Sequence, residues 1–234
     1  MIINGDCIVE LKKLIDSGVR VDLVVTDPPY RCISGGRCDD PISKRQCSGI
    51  LKKNDGKIFE HNDIDHKVWF SLIYNILKDD ADFYCMTNLL NLFKFKEIAD
   101  SVGFKIHNLL VWEKNNVVAN RWYMKNAEYV LYFYKGQARQ INNQGSKTVH
   151  QFNNIIGNKL HPTEKPVDLM ELYVSNSSNV GDIVLDPFMG AGSTGVACKN
   201  LNRKFIGIEL DKNYYDIAKQ RLEPTVKLRV KLSR

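Results

Sequence analysis

No stretch of this 234-residue chain comes near the roughly 18 consecutive apolar residues of a membrane span, so no membrane attachment is expected. The opening Met1-Ile2-Ile3-Asn4-Gly5-Asp6 lacks the basic start and long apolar run of a secretion signal. Cysteine is sparse and scattered, with six residues at positions 7, 32, 38, 47, 85 and 198. That pattern excludes a disulfide framework and predicts free thiols in a reducing cytoplasm. Cys32, Cys38, Cys47 and His61 fall in one stretch. Their spacings are not the close pairs of structural zinc, so no metal is expected. There is no internal repeat. Nor is there the charge excess of a disordered chain, since 44% of residues are hydrophobic and 26% charged. The length predicts one domain spanning 1–234 with two loop insertions, at about 31–65 and 136–160.

What is present is charge placed unevenly. The net charge is only +6. Residues 31–60 carry net +3, residues 135–166 net +4 and residues 223–234 net +3, which leaves the other 160 residues at −4. An acidic body with basic segments suits a scaffold that offers loops to a polyanion. Arg37, Lys44, Arg45, Arg121, Arg139 and Lys147 are the candidate nucleic-acid contacts. Trp122-Tyr123, between Arg121 and Lys125, could stack on bases. The tail 226–232 alternates apolar and basic residues, the pattern of an edge strand with a charged outer face.

Strand patterns over 21–26, 82–86, 104–112, 127–134, 182–186 and 204–209 alternate with helical spacing over 66–78, 89–102, from His161 to about Ser177, and 212–222. Such alternation predicts an α/β fold, a mainly parallel sheet with helices on both faces.

Two of these junctions carry chemistry. Gly190-Ala191-Gly192-Ser193-Thr194-Gly195 follows a strand and opens a helix, and Glu209 ends the next strand. Glycines let the backbone approach a ligand, and an acid at that position can hold both hydroxyls of a ribose. Asp186-Pro187-Phe188 puts a carboxylate beside the same ligand. It would repel the pyrophosphate of a nicotinamide dinucleotide and favour an ammonium. S-adenosylmethionine has an ammonium, a ribose and no phosphate. At the second junction a buried strand ends in Asp27-Pro28-Pro29-Tyr30. The exocyclic amine of a nucleobase is a poor nucleophile because its lone pair is conjugated into the ring. Accepting both of its N–H groups, at Asp27 and at the Pro28 carbonyl, returns electron density to nitrogen. Pro29 helps to fix that carbonyl, and Tyr30 offers a stacking face to an extruded base.

These motifs, in this order, resemble the S-adenosylmethionine-dependent amino-methyltransferases of DNA, in particular the beta class, with the catalytic tetrapeptide N-terminal and the cofactor turn C-terminal. Asn4-Gly5-Asp6-Cys7 resembles the segment contacting the cofactor adenine. His161-Pro162-Thr163-Glu164-Lys165-Pro166 resembles the segment facing the methionine carboxylate. The resemblance implies a Rossmann-like methyltransferase fold, a seven-stranded sheet with one antiparallel edge strand. It implies catalysis by Asp27, Pro28, Pro29 and Tyr30. It places the cofactor on Asp6, Cys7, Asp27, His161, Thr163, Lys165, Asp186, Phe188, Gly190, Gly192, Ser193, Thr194 and Glu209. Asp in the first motif position implies adenine N6, whereas cytosine-N4 enzymes usually carry Ser there. The expected substrate is therefore DNA, as duplex, with adenine flipped out. An enzyme on the same fold acting on cytosine N4 or on an RNA base, a non-catalytic nucleic-acid binder on that fold and a nicotinamide oxidoreductase are the rival readings. A homodimer and an accompanying restriction endonuclease are left open.

Overall fold

The computed structural model describes residues 1–29, 64–118, 123–157, 159–161 and 164–223. Eight strands form one sheet: β1 (Ile2–Asn4), β2 (Val21–Thr26), β3 (Leu77–Thr87), β4 (Lys105–Val118), β5 (Lys125–Tyr134), β6 (Val149–Gln151), β7 (Ile183–Asp186) and β8 (Lys204–Glu209). Their order is β1-β8-β7-β2-β3-β5-β4-β6. Only β5 runs against its neighbours. The architecture is the expected α/β Rossmann-like one, but the sheet differs from expectation in two respects. It has eight strands, and the antiparallel strand lies inside the sheet, because β5 pairs with β3 on one side and β4 on the other, with β6 adding a further parallel strand beyond β4. Both edges are strands of three residues, too short to template pairing with another chain.

Successive residues of the central strands point to opposite faces. Val24, Phe83, Cys85, Leu131 and Phe133 meet α1 (Cys7–Asp16), α2 (His66–Ile76) and α3 (Leu89–Val102) on one face. Leu23, Val25, Tyr84, Met86, Val130 and Tyr132 meet α4 (Val167–Ser177) and α5 (Ser193–Asn200) on the other. Burial on both faces explains why these strands read as apolar runs rather than as alternation. The last helix, α6 (Lys212–Leu222), packs beside α5 and β1.

The capping residues are local and legible. Asp6, Asp65 and Asp211 each accept two backbone amides at a helix start, and Gly103 closes α3 in the left-handed region with φ 109°. Helices 89–102 and 212–222 and strand 204–209 coincide with the expected spans. The helix expected from His161 begins only at Val167, because Pro166 holds extended backbone at its N-cap. The 66–78 helix stops at Ile76, and Leu77 already pairs with Val21 in β3.

The strand order also decides which loops approach the candidate site. β2 and β7 are parallel neighbours, with β3 on one side of the pair and β8 on the other, so a crevice opens beyond their carboxyl ends. The loop after β5, which carries the nominated Arg139 and Lys147, would have to leave from that same side to meet DNA over the crevice. It does not. Tyr134 pairs with Asp82, midway along β3 and about five residues before its carboxyl end, so residue 136 emerges away from the crevice, roughly 16 Å from that end. Arg139 and Lys147 accordingly line a separate hollow with His107 and Tyr132. The chain returns through β6, parallel to β4, and so brings His161 to the crevice. Most of the 31–65 insertion, with Arg37, Lys44 and Arg45, lies outside the described residues. So do Tyr30, Arg121, Trp122, Thr163 and the tail 226–232.

Candidate active site

β7 ends on Asp186, a buried carboxylate that ties three elements together. It accepts Thr26 Oγ1 from the end of β2 at 2.7 Å, Thr194 Oγ1 from α5 at 2.7 Å and the Phe188 amide at 3.1 Å. Burial pushes its carboxyl up to about 6 despite these donors. The turn that follows needs its glycines. Gly190 has φ 52° and Gly192 φ 82°, left-handed values that cost side-chain-bearing residues energy. Gly192 is not in the cleft itself. It faces α6, where an added Cβ would stand 3.1 Å from the Ala218 Cβ. Ser193 and Thr194 then open α5 at the cleft wall.

Glu209 ends β8, and its side chain is aimed by backbone. Oε2 accepts the Gly190 amide at 2.9 Å and Oε1 the Asp211 amide at 2.8 Å. Each oxygen retains a lone pair for a further donor. The Gly5 amide donates to the Glu209 carbonyl at 2.9 Å, which brings Asp6 and Cys7 to the same wall. Burial, with Asp6 beside it, pushes the Cys7 thiol up to about 12, so Cys7 meets the cleft as a neutral thiol and not as a nucleophile. Phe188 is held edge-on against Trp69, ring centroids 5.3 Å apart.

The segment before α4 closes the other side. The His161 ring packs edge-on against Tyr214 at 4.1 Å, and burial with Lys165 nearby lowers its pKa to about 4, so it is neutral at physiological pH. Lys165 is buried. Its Nζ donates to Asp27 Oδ2 and lies 3.6 Å from Glu128 Oε2. Glu128 Oε1 in turn accepts Lys114 at 3.0 Å. Burial would lower the Lys165 pKa, but the two carboxylates outweigh it and keep the ammonium charged. Burial likewise pushes Asp27 up, with Lys165 opposing. The other oxygen, Asp27 Oδ1, is buried and has no hydrogen-bond partner among the described residues. A second ion pair, Arg221–Glu164 at 2.9 Å, with Arg221 also donating to the Ala191 carbonyl at 2.7 Å, straps α6 to this segment and to the glycine turn.

Together these groups form a cleft of about 700 Å³. It gathers Asp6, Cys7, Asp27, Pro28, Pro29, His161, Lys165, Asp186, Phe188, Gly190, Ser193, Thr194 and Glu209, almost every described position that the sequence nominated for catalysis or cofactor. Among the described residues, seven carboxylates line it against a single ammonium, that of Lys165. This donor set suits a cationic ligand with hydroxyls and opposes a pyrophosphate. No group of three or more His, Cys, Asp or Glu with metal-site geometry occurs among the described residues. Sequence reasoning missed Glu128, Lys114 and Arg221. Glu128 had a signal, since it shares the strand phase of Val130 and Tyr132 in an otherwise apolar run. An acid at an inward position requires a buried cation.

A family model described as DNA methylase matches residues 21–220. The chain belongs to this family. It is an S-adenosylmethionine-dependent DNA methyltransferase of the N6/N4 amino type. The acidic cleft and the backbone-held Glu209 fit that cofactor. The chain is similar to Type II methyltransferase M2.DpnII of Streptococcus pneumoniae, 31% identical over 224 residues, 87% of this chain and 82% of that protein. It is 29% identical to Type II methyltransferase M2.LlaDCHI of Lactococcus lactis subsp. cremoris, covering 95% of this chain and 88% of that one. Among solved structures it resembles M1.HpyAVI in complex with SAM, with TM-score 0.72, 28% identity and coverage of 95% and 99%. The cytosine-N4-specific PvuII methyltransferase shares the fold, with TM-score 0.69 at 19% identity and coverage of 96% and 86%. No helix among the described residues is long and apolar enough to cross a membrane.

Proposed function

We propose that this methyltransferase modifies the N6 amine of adenine at specific sites in duplex DNA, with the base flipped into the cleft, as the modification enzyme of a type II restriction–modification pair. The relatives carry the type II name. The single observation that carries the chemistry is Asp27 Oδ1, a buried acceptor with no partner among the described residues, on the first residue of Asp27-Pro28-Pro29-Tyr30. An amine N–H would complete it, and leaving such an acceptor unmet costs about 1–3 kcal/mol.

Glu209 would hold the ribose hydroxyls, Asp186 the ammonium side, and Asp6, Cys7 and Phe188 the adenine end of the cofactor, with His161, Thr163 and Lys165 toward its carboxylate. When bound, the cofactor supplies a methyl group on a sulfonium sulfur, which keeps the C–S electron pair on transfer. Asp27 accepts one amine N–H and the Pro28 carbonyl the other, so the nitrogen lone pair is aimed at carbon. As the N–C bond forms, nitrogen sheds one proton, and Asp27 is the base within reach. Tyr30 would stack on the extruded base. The remaining work is alignment of nucleophile, methyl and leaving sulfur.

Incubation of duplex DNA of mixed sequence with labelled cofactor, digestion to nucleosides and mass analysis tests this reading. N6-methyldeoxyadenosine is expected, and Asp27→Ala should abolish it while leaving cofactor affinity within about twofold. N4-methyldeoxycytidine as the product would replace adenine by cytosine. An active Asp27→Ala enzyme would remove Asp27 from the mechanism.

A further inference from the structure

Asp27 does not act alone in the structure, and the residue that conditions it lies on a different part of the sheet. Glu128 sits on β5, the one antiparallel strand, opposite Trp112 of β4. Its two carboxylate oxygens are divided between two lysines: Oε1 takes Lys114 at 3.0 Å and Oε2 faces Lys165 at 3.6 Å. Lys165 in turn is divided between two carboxylates, Glu128 and Asp27. The result is an alternating row, Lys114–Glu128–Lys165–Asp27, with no net charge. Its last member carries the buried oxygen without a hydrogen-bond partner among the described residues.

From this row we infer that Glu128 is a positioning residue for methyl transfer, dividing the Lys165 ammonium with Asp27 so that Asp27 stays aimed and free to accept the target amine. The inference rests on the reading of Asp27 as that acceptor.

The physical need is specific. A lysine with Asp27 as its only anion would bind it as a full ion pair and compete with the amine for its lone pairs. A lysine absent altogether would leave Asp27 as an uncompensated charge in a partly buried site. A second carboxylate on the far side of the ammonium avoids both. It draws part of the Lys165 interaction away, and Lys114 keeps that second carboxylate charged. Burial would raise the Glu128 carboxyl, but the two lysines outweigh it and hold it below its ordinary range. The charged or titratable groups that act on Asp27 or feel its charge, among the described residues, are Lys165 and Glu128, then Asp186 on β7 and the Cys85 thiol on β3. Of these, Glu128 alone reaches it through a shared cation.

Two substitutions move the row in opposite directions. Glu128→Gln removes a like charge and strengthens the hold of Lys165 on Asp27, so Asp27 becomes harder to protonate and more firmly occupied. Lys114→Gln leaves Glu128 to draw Lys165 away, so Asp27 becomes easier to protonate. The measurement is kcat against pH at saturating cofactor and DNA, with cofactor affinity and melting temperature taken alongside. Glu128→Gln should lower kcat roughly tenfold and move the acid limb down by about half a unit or more, while Lys114→Gln should move that limb up. Cofactor affinity should stay within about twofold in both. Parallel losses of kcat with an unmoved limb would make Glu128 merely structural and overturn the inference. So would a Glu128→Gln enzyme of wild-type rate and profile. Asp27→Ala run beside them separates the two readings. If it is inactive while Glu128→Gln is normal, the row fails and Asp27 stands. If Asp27→Ala is active, the acceptor reading has failed first.

Discussion

Replacing Asp186 with asparagine should stabilise the protein without its cofactor and weaken its hold on that cofactor, and the two effects share one cause. Asp186 is 4% exposed, and burial raises its carboxyl from 3.8 to about 6. A folded value above the unfolded one means that the carboxyl is neutral in both states at low pH, where nothing is lost. As pH rises past 4 the unfolded chain ionises first, and stability falls until the folded carboxyl also ionises near 6. Beyond that the deficit is constant. Two units correspond to about 3 kcal/mol. Asparagine carries no such deficit. It keeps an acceptor for Thr26 or Thr194, but not the charge that strengthens all three hydrogen bonds. For a chain of this size each kcal/mol moves the midpoint by about 2–4 °C, so the variant should melt on the order of 5 °C higher at pH 8. The gain should vanish toward pH 4.5. Thermal melts without cofactor across that range, with calorimetric titration of S-adenosylmethionine at pH 7.5, measure both effects. A melting difference that is the same at pH 4.5 and pH 8, or a variant that melts lower than wild type at pH 8, would refute the argument that burial of this charge is what folding works against.

Two other outcomes follow, one from backbone geometry and one from where the basic residues lie along the chain. Gly192→Ala forces a φ of 82° on alanine and sets its Cβ 3.1 Å from Ala218, so urea denaturation should show a loss of roughly 1–3 kcal/mol, with cofactor affinity reduced because the turn and α6 part. Neutralising Arg37, Lys44 and Arg45 should flatten the log–log salt dependence of DNA binding by about two to three units. Neutralising Arg139 and Lys147, which line the hollow at the far end of the sheet, should leave that slope unchanged, and a reversed pattern would place the duplex elsewhere.

Most of the cleft was legible in the chain because its chemistry is local. The acid, the glycine turn and the helix start lie within Asp186 to Thr194, and Glu209 follows at the end of the next strand. A backbone that must turn sharply, approach a ligand and enter a helix leaves those residues in register along the sequence. Asp27-Pro28-Pro29 is local in the same sense, as are the caps Asp6, Asp65 and Asp211. β1 and β6 escaped notice because three residues show no period.

What only the tertiary structure decided is how distant parts meet. The antiparallel course of β5 sends residue 136 away from the cleft and moves Arg139 and Lys147 with it. No local pattern states a strand's direction, which depends on which neighbours it pairs with. Lys165 reaches Asp27 across 138 residues, and Glu128 completes the row from a strand that the sequence marked only as aromatic and apolar. A buried charge needs its counter-charge in space and not in sequence. That need is met only when the sheet order sets β5 beside β3 and brings the segment before α4 over the end of β2.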